Sequence, residues 1–195
     1  MVTQAQVAAL LPGREGHFVF ESGHHGALWL ELERLALHPE KLRPLIDALV
    51  ERMRAHRAEA VCAPLVEGAF VGLLVAEALG LPFTYSLPAR EPAATGLFPV
   101  SYAIPEPLER ELAGRRVAVV NDVINAGSAV RGTLADLRRC GARPIVIGSL
   151  AVYGESASAL ATSHGASLET LASFPSLIFE PAACPLCAKG VPLDP

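Results

Sequence analysis

Residues 116–128 constrain this chain more than any other segment. Arg116 leads into Val117-Ala118-Val119-Val120, a continuous apolar run that suits a strand buried on both faces. Asn121-Asp122-Val123-Ile124-Asn125-Ala126-Gly127-Ser128 follows as a connection. Val130, Leu134 and Leu137 then recur at helical spacing to about Cys140, with Gly141 as the stop. Pro144-Ile145-Val146-Ile147-Gly148 returns as the next parallel strand. Asp122 therefore stands at the carboxyl end of a buried strand, where open α/β sheets bind ligands. Beyond it Asn125, Ala126, Gly127 and Ser128 are small and open a helix, so backbone N–H groups can approach a phosphate at the helix's positive end. The spacing fits two readings: a phosphate cradle with Asp122 beside the attached sugar, or an ordinary strand-to-helix turn with Ser128 as its N-cap. It is neither a Walker loop nor a Gly-x-Gly-x-x-Gly fingerprint.

The rest of the chain alternates strand-like and helical runs, which predicts an α/β protein built on a Rossmann-like parallel sheet flanked by helices. Leu42, Leu45, Ile46, Leu49, Val50 and Met53 define a helix over 41–56, with Arg52, Arg54, His56 and Arg57 on its solvated side. Ala60-Val61-Cys62-Ala63 reads as a short buried strand ending at Pro64. A turn at Glu67-Gly68 and a helix carrying Val71, Leu74, Val75, Ala78 and Leu79 follow, closed by Gly80 and Pro82. Phe83-Thr84-Tyr85-Ser86 is the next strand, and the proline-rich stretch from Leu87 to about Pro107 reads as a long loop. The expected organisation is a single domain over 1–195, with a core at about 58–154 and a small hood from the chain ends, about 1–57 and 155–195.

Composition narrows the function classes. With 195 residues, 51% of them hydrophobic and 18% charged, the chain can bury a core without crosslinks. A net charge of −4 advertises neither nucleic-acid nor anionic-membrane binding. Apolar runs are broken before the roughly 20 residues that a membrane span needs, and Met1-Val2-Thr3-Gln4 begins no secretory signal. Four cysteines make no disulfide framework, so a reducing cytoplasm is the expected location.

The run Val117-Ala118-Val119-Val120-Asn121-Asp122-Val123-Ile124-Asn125-Ala126-Gly127-Ser128 resembles the phosphoribosyl-pyrophosphate motif of the type I phosphoribosyltransferases: four apolar residues, two acids, then Val-x-Thr-x-Gly-x-Ser or a variant. Other segments point to the orotate branch of that family. Gly16-His17-Phe18-Val19-Phe20-Glu21-Ser22-Gly23-His24-His25 is similar to its N-terminal Gly-His-Phe…Ser-Gly-x-His segment. Ala63-Pro64-Leu65-Val66-Glu67-Gly68-Ala69 sits where the family has its pyrophosphate loop. The resemblance covers roughly 16–154. It implies transfer of the ribosyl 5-phosphate of phosphoribosyl pyrophosphate to a ring nitrogen of orotate, giving orotidine 5′-phosphate and pyrophosphate, a step of pyrimidine nucleotide synthesis. It further implies Mg²⁺ held mainly by the substrate rather than by protein ligands, and a homodimer. By position, Asp122 and Asn121 would face the ribose and Arg90 the pyrophosphate as the catalytic group. Asn125, Ala126, Gly127, Ser128 and Ala129 would hold the 5-phosphate, Leu65, Val66, Glu67 and Gly68 the pyrophosphate, and His25 would lie on the base side.

Two positions depart from the family pattern. The first acid of the motif is the uncharged Asn121. The family's mobile loop carries a catalytic lysine, whereas between Leu87 and Tyr102 this chain has Arg90 as its basic residue, and lysine occurs only at Lys41 and Lys189. These departures leave open a transferase for another base, and a weak or silent module that binds phosphoribosyl pyrophosphate or a nucleotide. Separately, Cys184-Pro185-Leu186-Cys187 is half of a tetrahedral zinc site; no second CxxC exists, so a symmetric dimer would have to complete it. The same four residues also suit a tight turn whose thiols pack against the hood.

Overall fold

The computed structural model describes residues 2–20, 23–90 and 100–194, with backbone alone at Arg90 and Val100. In chain order the elements are α1 (Gln4–Leu10), β1 (Gly13–Val19), β2 (His25–Leu30), α2 (Pro39–Met53), β3 (Ala60–Pro64), α3 (Glu67–Leu79), β4 (Phe83–Arg90), β5 (Val100–Ala103), α4 (Glu106–Leu112), β6 (Arg116–Ile124), α5 (Ser128–Arg139), β7 (Arg143–Tyr153), α6 (Ser156–His164), β8 (Ser167–Phe174), β9 (Ile178–Phe179) and α7 (Pro185–Ala188).

Six strands form the central sheet in the order β5-β4-β3-β6-β7-β8. All its pairings are parallel except β4 with β5. The apolar run of β6 is buried from Val117 to Ile124, as a strand covered on both faces requires. One face packs against α2 and α3 through Leu45, Ile46, Leu49, Val71 and Val75. The other packs against α4, α5 and α6 through Leu112, Val130, Leu134, Leu137 and Leu160. All six apolar positions expected on the helix over 41–56 are buried in α2. The predicted α/β class and parallel sheet are therefore what the chain forms.

Three boundaries differ from the sequence reading. Strand β6 runs four residues past Val120, because β7 continues beside it and pairs Val123 with Ala151 and Ile124 with Val152. The connection shrinks to Asn125–Gly127. The turn after β3 lies at Leu65 and Val66, while Glu67 and Gly68 already form the first turn of α3, where an acidic residue suits the helix's positive end. Much of the stretch expected to be a loop from Leu87 to Pro107 is regular: β4 extends to Arg90, pairs antiparallel with β5, and α4 begins at Glu106. Beyond Ser86, β4 has left its pairing with β3, so Pro88 gives up no ladder bond on that side. Residues 91–99 of that loop lie outside the described residues.

A second sheet, β1-β2-β9, is formed by the chain ends. The central sheet also takes in β8 from beyond 154, α1 and α2 cover its face, and Leu28 and Leu30 of β2 pack against the same core. Among the described residues no helix is long and apolar enough to cross a membrane, and all four cysteines are free.

Candidate active site

From β3 the chain moves to β4 and β5 on one side, then crosses to β6 on the other. The β3/β6 boundary is therefore the switch point where carboxyl-terminal loops diverge and leave a crevice. Two turns face each other there: Leu65–Val66 after β3 and Asn125–Gly127 after β6.

Gly127 has φ 79° and caps α5 without any side-chain cap bond. Ser128 is thus the first helical residue rather than the N-cap. The leading N–H groups of a helix have no intrahelical acceptor, so this uncapped end offers them to a ligand. Behind the bend, the Thr133 hydroxyl donates to Ala129 O at 2.9 Å, and Ser86 Oγ lies 2.7 Å from Thr133 Oγ1. Ser86 O in turn accepts from Leu65 N at 2.9 Å. A buried polar chain therefore couples the two turns through β4. The Leu65–Val66 peptide is cis, a feature with no sequence signal.

Asp122 is 3% exposed. Its Oδ1 accepts from Val123 N at 2.7 Å, and its Oδ2 has no hydrogen-bond partner among the described residues. Burial pushes its carboxyl up to about 7; the Val123 amide opposes that shift and the nearby negative charge of Glu67 adds to it. A buried carboxylate oxygen without a donor is costly unless a ligand supplies one. Asn121 is oriented by donating from Nδ2 to Val123 O at 2.8 Å. Its Oδ1 occupies the space that a Cβ at Gly68 would need, so a side chain there would force Asn121 to turn and give up its bond to Val123 O. Asn121 thereby packs β6 against the first turn of α3.

A cavity of about 220 Å³ opens over the bend, lined by Asn121, Asn125, Ala126 and Ser128 and by Phe20 and Ile178 from the chain-end layer. Asn125 Oδ1 is buried there without a partner among the described residues. Phe20 lies inside the N-terminal segment that carried the resemblance, whereas nothing in the sequence marked Ile178. Asn121, Asn125, Ala126, Gly127, Ser128 and Ala129 are thus brought to one cavity, with Gly68 against Asn121, whereas Asp122, Leu65, Val66 and Glu67 are not among the residues that line it. Arg90 ends β4 by its backbone, and its side chain lies outside the described residues. His25 is directed elsewhere: its Nδ1 lies 3.0 Å from His17 Nε2 and 3.2 Å from Cys187 Sγ.

No family model matches the chain. It is 27% identical over 180 residues to an orotate phosphoribosyltransferase of Thermotoga maritima, covering 92% of this chain and 89% of that protein. It is 28% identical over 180 residues to the orotate phosphoribosyltransferase of Thermus thermophilus, covering 92% and 91%. Among solved structures it overlays on orotate phosphoribosyltransferase from Aeropyrum pernix with TM-score 0.63 and 23% identity, over 83% of this chain and 87% of that one. It also overlays on the adenine enzyme of Giardia lamblia, in complex with 9-deazaadenine, with TM-score 0.69 and 16% identity over 89% and 98%. The chain has the fold of the type I phosphoribosyltransferases, and along nearly its whole length its sequence resembles the orotate phosphoribosyltransferases among them.

Proposed function

We propose that this chain is a glycosyltransferase that moves the ribosyl 5-phosphate of phosphoribosyl pyrophosphate onto a ring nitrogen of orotate. The observation that carries the reading is Asp122 Oδ2, a buried carboxylate oxygen without a donor among the described residues, two residues before the end of the strand that leads through Asn125–Gly127 into the uncapped start of α5. The amides of residues 126–129 hold the 5-phosphate, and the ribose hydroxyls donate to Asp122. The turn at Leu65 and Val66, with Glu67 and Gly68 at the start of α3, lies where pyrophosphate departs. In the transfer, the C1–O bond breaks with its electron pair leaving on pyrophosphate, and the base nitrogen's lone pair forms the C1–N bond. The nitrogen's proton goes to solvent. Positive charge builds on the ribose as this happens, and the Asp122 carboxylate, favoured in its ionised form once the ribose hydroxyls donate to it, offsets it in a water-poor site. Asn121 contributes an oriented amide in place of a second charge, so Asp122 is the motif's one carboxylate.

Mg²⁺ fits this site as a substrate-borne ion: when bound it neutralises the pyrophosphate leaving group. Asp122 faces the sugar in this reading, and no protein ligand to Mg²⁺ is invoked. Phe20 and Ile178 cover the sugar side and exclude water from a sugar that would otherwise be hydrolysed.

Orotate is the base because the curated relatives carry that name over about nine-tenths of the chain. The overlay on an adenine enzyme makes the choice of base the quantity to measure. Pyrophosphate release with a panel of orotate, uracil, adenine, guanine and hypoxanthine is expected to turn over with orotate. Turnover with a purine alone would reassign the base, and binding of phosphoribosyl pyrophosphate without release for any base would contradict the transferase reading.

A further inference from the structure

The layer that contributes Phe20 and Ile178 to the cavity also carries a second constellation, distinct from Asp122 in its chemistry. His17 and His25 come from adjacent strands β1 and β2, Cys184 immediately precedes α7, and Cys187 is its third residue. One ligand atom from each of the four lies within 4.8 Å of every other. The register explains why. Strands β1 and β2 pair Glu15 with Leu28 and then Phe18 with Gly26, so Gly16 and His17 together oppose Ala27 in a bulge. A bulge re-aims a side chain and breaks the ladder at that point. The freed His17 N donates to Asp194 Oδ2 at 2.7 Å, and Asp194 N donates to His17 O at 2.7 Å.

The nitrogen and sulfur positions are those of a ligand set. His17 Nδ1 lies 2.8 Å from Val191 O, which can only accept, so Nδ1 carries the proton and Nε2 of the neutral ring presents a lone pair. Three groups converge on that one lone pair: His25 Nδ1 at 3.0 Å, Cys184 Sγ at 3.5 Å and Cys187 Sγ at 3.7 Å. A single lone pair cannot accept from all three. The separations, 3.0, 3.2, 3.5 and 3.7 Å, instead lie within a few tenths of an ångström of the edges of a tetrahedron with metal–nitrogen bonds of about 2.0 Å and metal–sulfur bonds of about 2.3 Å, which are roughly 3.3–3.8 Å long. His17 is 1% exposed and Cys184 3%, while Cys187 is exposed and gives an ion a way in.

We propose that His17, His25, Cys184 and Cys187 of one chain bind a single structural Zn²⁺. Two imidazoles and two thiolates at tetrahedral spacing suit Zn²⁺ over harder cations, and all four positions are filled by protein, as in a closed site. Binding releases one proton from each cysteine thiol. The ion ties the β1–β2 hairpin, which leads to Phe20, to the C-terminal turn that follows β9 with Ile178. No second copy is needed to supply the two ligands missing from the CxxC. The site does not rest on the transferase reading, and its test uses no activity.

Zinc content of the full-length protein, purified without a chelating column, is expected at about one ion per chain. In the Cys184→Ser/Cys187→Ser double variant it should fall roughly tenfold or more, and in Cys140→Ser it should stay unchanged. Because the double variant could misfold, the wild-type protein is also stripped with a chelator and titrated with Co²⁺. The intense visible bands of tetrahedral cobalt, with a near-ultraviolet thiolate band, are the expected result. Absence of both stoichiometric zinc and those bands would overturn the proposal. So would undiminished zinc in the double variant, or a Cys184–Cys187 disulfide in protein supplied with zinc.

Discussion

Asp122→Asn is expected to lower transfer by roughly two to three orders of magnitude and, in the same protein, to remove a pH dependence of stability. The substitution deletes the charge that offsets the developing positive charge on ribose, while keeping the side chain's size. Its effect on stability follows from the same burial. The carboxyl sits near 7 in the folded chain against an ordinary value of 3.8. Between those values the native chain keeps a proton that the unfolded chain has released. Stability therefore falls as pH rises from about 4 to about 7, and the loss levels off above that. About three pKa units set a ceiling of roughly 4 kcal/mol on the change. Denaturant unfolding at pH 5 and pH 8 should show the wild-type protein losing stability between the two, and the variant should lack that part of the slope. Equal slopes in both proteins, or full activity in the variant, would remove Asp122 from the role assigned to it.

Gly127→Ala is expected to weaken phosphoribosyl pyrophosphate binding about tenfold to a hundredfold while costing only about 1–2 kcal/mol of stability. At φ 79° an alanine is strained, and its Cβ would stand 2.7 Å from Leu160 Cδ1. Leu160 can rotate away, but the bend must shift as well, and its amides are aimed by geometry alone. Gly141→Ala is the control. That residue has φ 77° with nothing within 4 Å of a built Cβ, and it follows the far end of α5. It should show a similar loss of stability with unchanged KM. A KM effect of equal size in both variants would mean that the bend is not the phosphate site.

The central sheet was legible because its code is local. The β6 run, the α2 stripe and the Gly80 stop each carry their meaning within a few residues, and each formed as read. The start of α5 after a small-residue bend was legible for the same reason, although the bend is only Asn125–Gly127. What escaped depends on partners far along the chain. The extension of β6 to Ile124 is dictated by β7, and Pro88 sits in a strand because β3 has already parted from β4. Asn121 looked like a lost charge, yet its amide also fills the space above Gly68, a contact across more than fifty residues. The Cys184 and Cys187 pair was visible as half a site. Its complement was sought in a second copy, because no sequence rule joins His17 to a turn 167 residues away. Only the bulge in β1 brings them together.

The proposed transfer depends on the start of α5 as a phosphate anchor, and amide chemical shifts measured on titration with ribose 5-phosphate test this directly. The largest shifts are expected at Ala126, Gly127, Ser128 and Ala129, with Val123 responding beside Asp122. Saturating changes confined to other loops, with residues 126–129 unmoved, would contradict it.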